Sequence, residues 1–257
     1  MLADTHVHLF AGRDDGPESA DEAAAMAAAL VAEGVRFAAA LAHQSPDYPE
    51  NTAAELRVAA ELLVGRLAAD RTPLAVCASG EVMLSPDLLA DWHAGRLLTL
   101  GDHGRFLLVE MPHDLYLDVR RVAEDFARLG VRFVIAHAER YPELLHDPGE
   151  VEALIAAGCL IQVSSGELAR PGTAADERAL RDWARRGVIH LIGSDGHNLT
   201  RRPPRVRAGL EALARMAGQA AADRAGGIWG PAVLQGLPVR VPPPLPKPRS
   251  WFAGLFG

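Results

Sequence analysis

Residues 3–10 read ADTHVHLF, an apolar run interrupted by one aspartate and then by His6 and His8. Side chains two apart along a strand point the same way, so the pair would project together from the strand's end. A DDG triplet follows at residues 14–16, across a short glycine-containing loop. Six further runs repeat the design: VRFAAALAH (35–43), PLAVCASGEVM (73–83), RFLLVEMP (105–112), VRFVIAHAE (131–139), CLIQVSSGE (159–167) and VIHLIGSDGH (188–197). Helical stretches separate them, among them residues 18–34, 51–70 and 117–130. Gly34, Gly130 and Gly187 stand where helix C-caps belong, and Ser19 to Glu22 reads as a capping box.

A βαβα rhythm implies parallel strands with helical crossovers, closed as a distorted barrel or open as a doubly wound sheet. No GxGxxG follows the first strand, so dinucleotide binding has no support. After residue 237 the composition changes to PVRVPPPLPKPRSWFAGLFG. Such proline density excludes helix or inner strand and suggests an extended arm with an aromatic end. The expected division is therefore a barrel domain over 1–236 and a Pro-rich tail over 237–257.

The chain has 257 residues, a formal net charge of −7 and one lysine, Lys247. That charge argues against a nucleic-acid binder with a broad basic face. Cys77 and Cys159 form no CxxC pair and lie in apolar runs, as buried free thiols would. No signal peptide is recognisable, and no apolar run reaches the roughly 18 to 20 residues of a membrane span. A cytoplasmic protein is expected.

Ionisable residues break the apolar runs at one recurring place. His6 and His8 end the first, His43 the second, Glu81 the third, Glu110 the fourth, His137 the fifth, and Asp195 with His197 the seventh. In a parallel barrel all strand C-termini open on one face, which would bring these residues together. Each alone is more often a core histidine or a solvated strand end, but the joint pattern points to metal. Imidazole with carboxylate suits Mn, Fe or Zn, whereas Ca and Mg prefer oxygen. Eight donors, or nine with Asp15, exceed the needs of one ion and suggest two or three ions sharing a bridging carboxylate.

Arg140, three residues after His137, and Arg201-Arg202, after His197, could reach over such ions, and a guanidinium fork matches phosphate oxygens. Gln162, Ser164 and Ser165 of the sixth run could line the mouth and bond a substrate. His93, His103, His113, His146 and His190 lack strand-end placement. Asp14 has no assignment. A Cys-dependent phosphatase would need arginine six residues after its cysteine, where Met83 and Ser165 stand. Neither a GxSxG elbow nor a P-loop occurs, which leaves metal-activated water as the nucleophile.

The ordered set DTHVHLF, DDG, LAHQ, SGEV, LLVEMP, IAHAERY and GSDGHNLTRRPP resembles the PHP (polymerase and histidinol phosphatase) superfamily. It is most similar to the bacterial CpsB/CapC-type branch, manganese-dependent tyrosine-protein phosphatases. The resemblance implies a distorted (β/α)7 TIM-like barrel with a trinuclear centre. By position, His6, His8, Glu81 and Asp195 would hold one metal. Glu81 would bridge to a second held by Glu110 and His137, and Asp15, His43 and His197 would hold the third. Arg140 and Arg202 would grip the phosphoryl group. The implied substrate is the phosphotyrosine tail of a bacterial tyrosine kinase governing capsule or exopolysaccharide export, and a homo-oligomer is compatible with it. Ala138 replaces a common proline, Gln44 a common histidine, and Phe10-Ala11 a proline-bearing loop. Two other readings stay open: a PHP-type phosphatase of a small phosphoester such as histidinol phosphate, and a metal-binding module that docks a partner.

Overall fold

The structure, a computed structural model, describes residues 1–112 and 115–246. Its strands are β1 (Leu2–His8), β2 (Val35–Leu41), β3 (His43–Gln44), β4 (Ala75–Ala78), β5 (Glu81–Met83), β6 (Phe106–Glu110), β7 (Arg132–Ile135), β8 (Leu160–Ser164) and β9 (Leu191–Gly193). Every pairing between them is parallel. Seven runs become nine strands because the second breaks at Ala42 and the third at Ser79-Gly80. Backbone bonds from Ser79 N to the Ala40 carbonyl (3.0 Å) and from Glu81 N to the Ala42 carbonyl (3.1 Å) bridge the breaks. The sheet thus divides into β1-β2-β4 and β3-β5-β6-β7-β8-β9.

The last run returns to the first. Val7 forms a parallel bridge with Gly196, Asp195 N donates to the His6 carbonyl (2.8 Å), and His8 N donates to the Gly196 carbonyl (3.0 Å). This approach needs glycine at 193, where an added Cβ would lie 2.3 Å from the His6 Cβ. The architecture is the curled, distorted α/β barrel expected, in a single domain.

Alternation along the strands sets the interior. Leu41, Leu108, Leu160 and Leu191 form part of an inner apolar layer. Residues two further on, His43, Glu110, Gln162 and (after Gly193) Asp195, point the same way one layer higher. β1 and β7 depart from this parity. A register shift between Asp4 and Val7 turns His6 and His8 to the side that Ala3 faces lower down. His137 takes a left-handed φ of 30°, which redirects the chain past Ala136. Outside the sheet, Leu30, Leu56, Phe126 and Trp183 anchor the helices to the main core.

Ser19, Thr52 and Thr173 cap their helices by accepting from Glu22, Glu55 and Asp176 N–H. The capping box closes only halfway, because Glu22 Oε2 accepts from Glu18 N instead of Ser19 N (3.0 Å). Gly34, Gly130 and Gly187 take left-handed φ of 94°, 81° and 75°, as C-caps require. Of the tail, residues 237–246 contain neither helix nor strand and lie against the barrel. Arg132 donates to the Val239 carbonyl (2.8 Å), and Arg186 exchanges bonds with the Leu245 backbone (2.6 and 2.9 Å). Lys247 and the aromatic end lie outside the described residues, as does His113. Among the described residues no helix is long and apolar enough to cross a membrane.

Candidate active site

Glu81, fully buried, is the hub of the barrel mouth. Its Oε2 lies 3.1 Å from His6 Nε2, 3.2 Å from His8 Nε2 and 3.2 Å from His43 Nδ1, and its Oε1 lies 2.9 Å from His137 Nε2. Asp195 Oδ1 stands 3.4 Å from His6 Nε2 and 3.7 Å from His8 Nε2. Glu110 spans His137 Nε2 at 3.5 Å and His43 Nδ1 at 3.4 Å. Asp15, on the loop after β1, swings back to 3.2 Å from His197 Nε2 and 3.6 Å from His43 Nε2. All nine sequence-derived donors are gathered into this one cluster.

The donor set fits divalent cations. His6 Nε2 and His8 Nε2 converge to 3.3 Å while facing the same carboxylate, an arrangement suited to a shared cation. Among the described residues, Glu110 Oε2 and His197 Nε2 are buried and find neighbours within ion-pair distance but no well-aligned hydrogen bond. Three overlapping sets among the described residues have ligand atoms close enough to share an ion: His8, Asp15, His43 and His197; His6, His8 and Glu81; and His43, Glu81 and Glu110. His8 and His43 each belong to two sets, so the geometry interlocks the pockets more than the residue-by-residue resemblance does.

Electrostatics follow from this packing. Burial alone would lower His8, His43 and His137, yet the neighbouring carboxylates outweigh it and raise them to about 9, 11 and 10. Burial would raise Glu110, but His137 and His43 hold it at about 2. Glu81 lies well below its ordinary value against the same burial effect, through His6, His137 and His8. Burial pushes the Cys77 and Cys159 thiols up to about 12, so both stay protonated and unreactive at neutral pH.

Both arginines reach the cluster's rim. Arg140 donates to Asp195 Oδ2, and Arg202 donates to the same oxygen at 2.7 Å and to Asp15 Oδ2 at 3.4 Å. Beside them opens a cavity of about 470 Å³ walled by Tyr48, Leu115, Tyr116, Tyr141 and Pro142. No strand-end pattern marks these wall residues, because they come from loops and short helices around the mouth.

The sixth run is a correction. Gln162, Ser164 and Ser165 do not line that cavity. Gln162 is buried beneath it, where Oε1 meets His6 Nδ1 at 2.8 Å and Nε2 donates to Thr5 Oγ1 at 2.8 Å. Ser164 N donates to Glu139, and the Ser165 hydroxyl donates to the Arg205 carbonyl. The parity with Leu160 that turns Gln162 inward also keeps it below the mouth. Sequence reasoning missed Asp14, whose Oδ2 lies 2.6 Å from His8 Nδ1. His93, His103, His146 and His190 stay outside the cluster, as expected.

A family model described as "Capsular polysaccharide synthesis, CpsB/CapC" matches residues 2–226. Tyrosine-protein phosphatase YwqE of Bacillus subtilis (strain 168) is 32% identical over 206 residues, 78% of this chain and 79% of that protein. Tyrosine-protein phosphatase CpsB of Streptococcus pneumoniae is 28% identical over 226 residues, 84% of this chain and 91% of that protein. A crystal structure from work on YwqE and CpsB, described there as "unique metal-dependent tyrosine phosphatases", superposes with a TM-score of 0.87 at 28% identity. The match covers 96% of this chain and 100% of that one. With its fold and family signature in agreement, the chain belongs to the CpsB/CapC family of capsular polysaccharide synthesis.

Proposed function

We propose that this chain is a metal-dependent protein-tyrosine phosphatase acting on a bacterial tyrosine kinase tied to capsule or exopolysaccharide synthesis. The observation that carries the reading is the pairing of Arg140 and Arg202 on Asp195, between a nine-donor cluster and an aromatic-walled cavity. His6, His8, Glu81 and Asp195 would hold one ion, and Glu81, Glu110 and His137 a second. Asp15, His43 and His197 would hold a third. Manganese is the metal we propose, with iron or zinc acceptable to the same donors. When bound, such ions polarise a phosphoryl group and lower the pKa of a water nucleophile toward about 7.

The chain's own residues supply orientation and charge. The two guanidiniums offer N–H donors to non-bridging phosphoryl oxygens, where negative charge builds up in the transition state. Tyr48, Leu115, Tyr116 and Pro142 present apolar surface to an aryl ring. A phenolate leaving group, with a pKa of about 10, needs less protonation than an alkoxide. We assign residues 1–236 to the catalytic barrel and 237–257 to its arm, and the chain with its free thiols to the cytoplasm.

The test is hydrolysis of para-nitrophenyl phosphate, a phosphotyrosine peptide and histidinol phosphate, before and after chelation, with metals restored singly. We expect chelation to abolish activity, manganese to restore it, and the aryl esters to be preferred. Activity indifferent to chelators would refute the metal reading, and preference for histidinol phosphate would refute the tyrosine assignment.

A further inference from the structure

In the DDG triplet of residues 14–16, Asp15 faces the mouth while Asp14 turns beneath it. The Asp14 side chain is fully buried, and both its oxygens are engaged. Oδ2 lies 2.6 Å from His8 Nδ1 and accepts from His43 N at 3.0 Å, while Oδ1 accepts from Gly16 N at 3.0 Å. One carboxylate therefore ties the end of β1 to the start of β3 and pins the loop that carries Asp15.

We propose that Asp14 is a positioning residue of the metal centre, fixing the His8 tautomer and the loop that presents Asp15. This rests on the metal-dependent reading above but on no particular substrate. An ionised carboxylate only accepts, so it keeps a proton on His8 Nδ1 and leaves Nε2, which faces Glu81 and Asp195, as the nitrogen that gives up its proton to an ion. His6 has a different partner. Its Nδ1 donates to the neutral Gln162 amide oxygen, whose orientation is fixed because the amide nitrogen donates to Thr5. Of the two histidines, His8 thus has the charged partner and is the stronger donor to a shared ion.

Gly16 completes the device. A Cβ there would lie 2.9 Å from Asp14 Oδ1 and 3.0 Å from the His8 Cβ, so only glycine lets the loop close over both. Asparagine at 14 would retain size but not function. Asp14 takes three N–H groups on two oxygens, and an amide –NH2 would oppose at least one of them.

The experiment compares the unmodified chain, Asp14→Asn and Gly16→Ala after chelation, titrating manganese(II) by calorimetry. Both variants should bind at least one ion about 10- to 100-fold more weakly, the usual effect of removing a partner behind a metal ligand. In the zinc-loaded unmodified chain, 15N NMR should find the His8 proton on Nδ1. Asp14→Asn should move the His8 Nδ1–H proton resonance upfield, because an amide oxygen accepts more weakly than a carboxylate, which mere loss of packing elsewhere would leave alone. Unaltered manganese affinity in Asp14→Asn, or a His8 proton on Nε2, would overturn the proposal. So would failure of the unmodified chain to take up manganese. If both variants fail to fold, the NMR result on the unmodified chain decides. Metal uptake without phosphatase activity would defeat the substrate assignment and leave this inference standing.

Discussion

Asp195 divides its two oxygens between different tasks. Oδ1 faces His6 and His8, while Oδ2 receives both guanidiniums. It does so from a left-handed backbone, φ 51°, as His137 does from φ 30°. Non-glycine residues held there cost of order 1–3 kcal/mol and persist where the surroundings enforce them, commonly at functional sites. Arg202 permits a clean test, because its backbone, not its side chain, holds the loop through the His197 N–H (2.8 Å). Arg202→Ala should keep full metal content by elemental analysis yet lose about 10²- to 10³-fold in kcat, the usual loss for one well-placed donor. An unchanged kcat would remove Arg202 from the phosphoryl site. A second residue-scale effect concerns stability. His190 is buried and its Nδ1 accepts from Ile161 N at 3.0 Å. Burial, helped by Arg132, lowers it to about 3. Its folded value lies below the unfolded one near 6.5, so acid protonates only the unfolded chain and stability falls as pH drops from 6.5 toward 3. Between pH 7 and 5 the loss should be about 2 kcal/mol, at ~1.4 kcal/mol per pH unit. In chelator, urea unfolding of His190→Asn, which can still accept from Ile161, should have a correspondingly shallower pH slope. Parallel slopes would assign the acid sensitivity to other groups.

The loop between β3 and the helix Ala53–Ala69 carries Tyr48, whose ring lies nearly parallel to His43 (9°) at 5.8 Å between centroids. Gln44 holds that loop's ends. Its amide donates to the Asn51 (2.7 Å) and Arg96 (2.9 Å) carbonyls and accepts from Leu98 N (2.8 Å). Gln44, read from the sequence as replacing a histidine of the resembled pattern, thus serves as a loop brace. Because the brace is independent of Tyr48, Tyr48→Ala should leave metal content intact and raise KM several-fold for a phosphotyrosine peptide, with little change for an alkyl phosphomonoester. Equal effects on both would exclude an aryl-binding wall. Elements like this mark the limit of what the sequence discloses. The strands and their terminal donors were legible because alternation and run length are local properties. The bonds that hold Gln162 against His6 and Thr5, the Asp14–His8 contact and the left-handed His137 were not, since each depends on what lies alongside in the closed fold. The mouth's aromatic wall was hidden for the same reason, its members being spread from residue 48 to residue 142.

At the scale of the molecule, nine donors from opposite ends of the chain gather in one cluster around Glu81, so the centre is also a cross-link of the barrel. Such convergence was readable from the order of strand ends once parallel strands were assumed, but its interlocking through His8 and His43 required the closed geometry. The cost of closure is a cluster of buried carboxylates, Glu81, Glu110 and Asp195, whose charge must be compensated by cations. With His8, His43 and His137 raised to about 9, 11 and 10, protons serve that role at pH 7 whenever metal is withdrawn. A divalent ion needs the imidazole lone pairs, so its entry must expel those protons. Metal affinity should consequently rise with pH between 6 and 8, and manganese titrations in two buffers of different ionisation enthalpy should report net proton release. The same linkage stabilises the fold. Ions at a hundred times their dissociation constant contribute about 2.7 kcal/mol, so chelation should lower Tm by roughly 5–10 °C for a domain of this size. The decrease should shrink as pH falls, because protons compete with the metal for the same nitrogens. A chelation effect on Tm that was constant from pH 8 to pH 6, with no proton release in either buffer, would separate the imidazoles from metal binding.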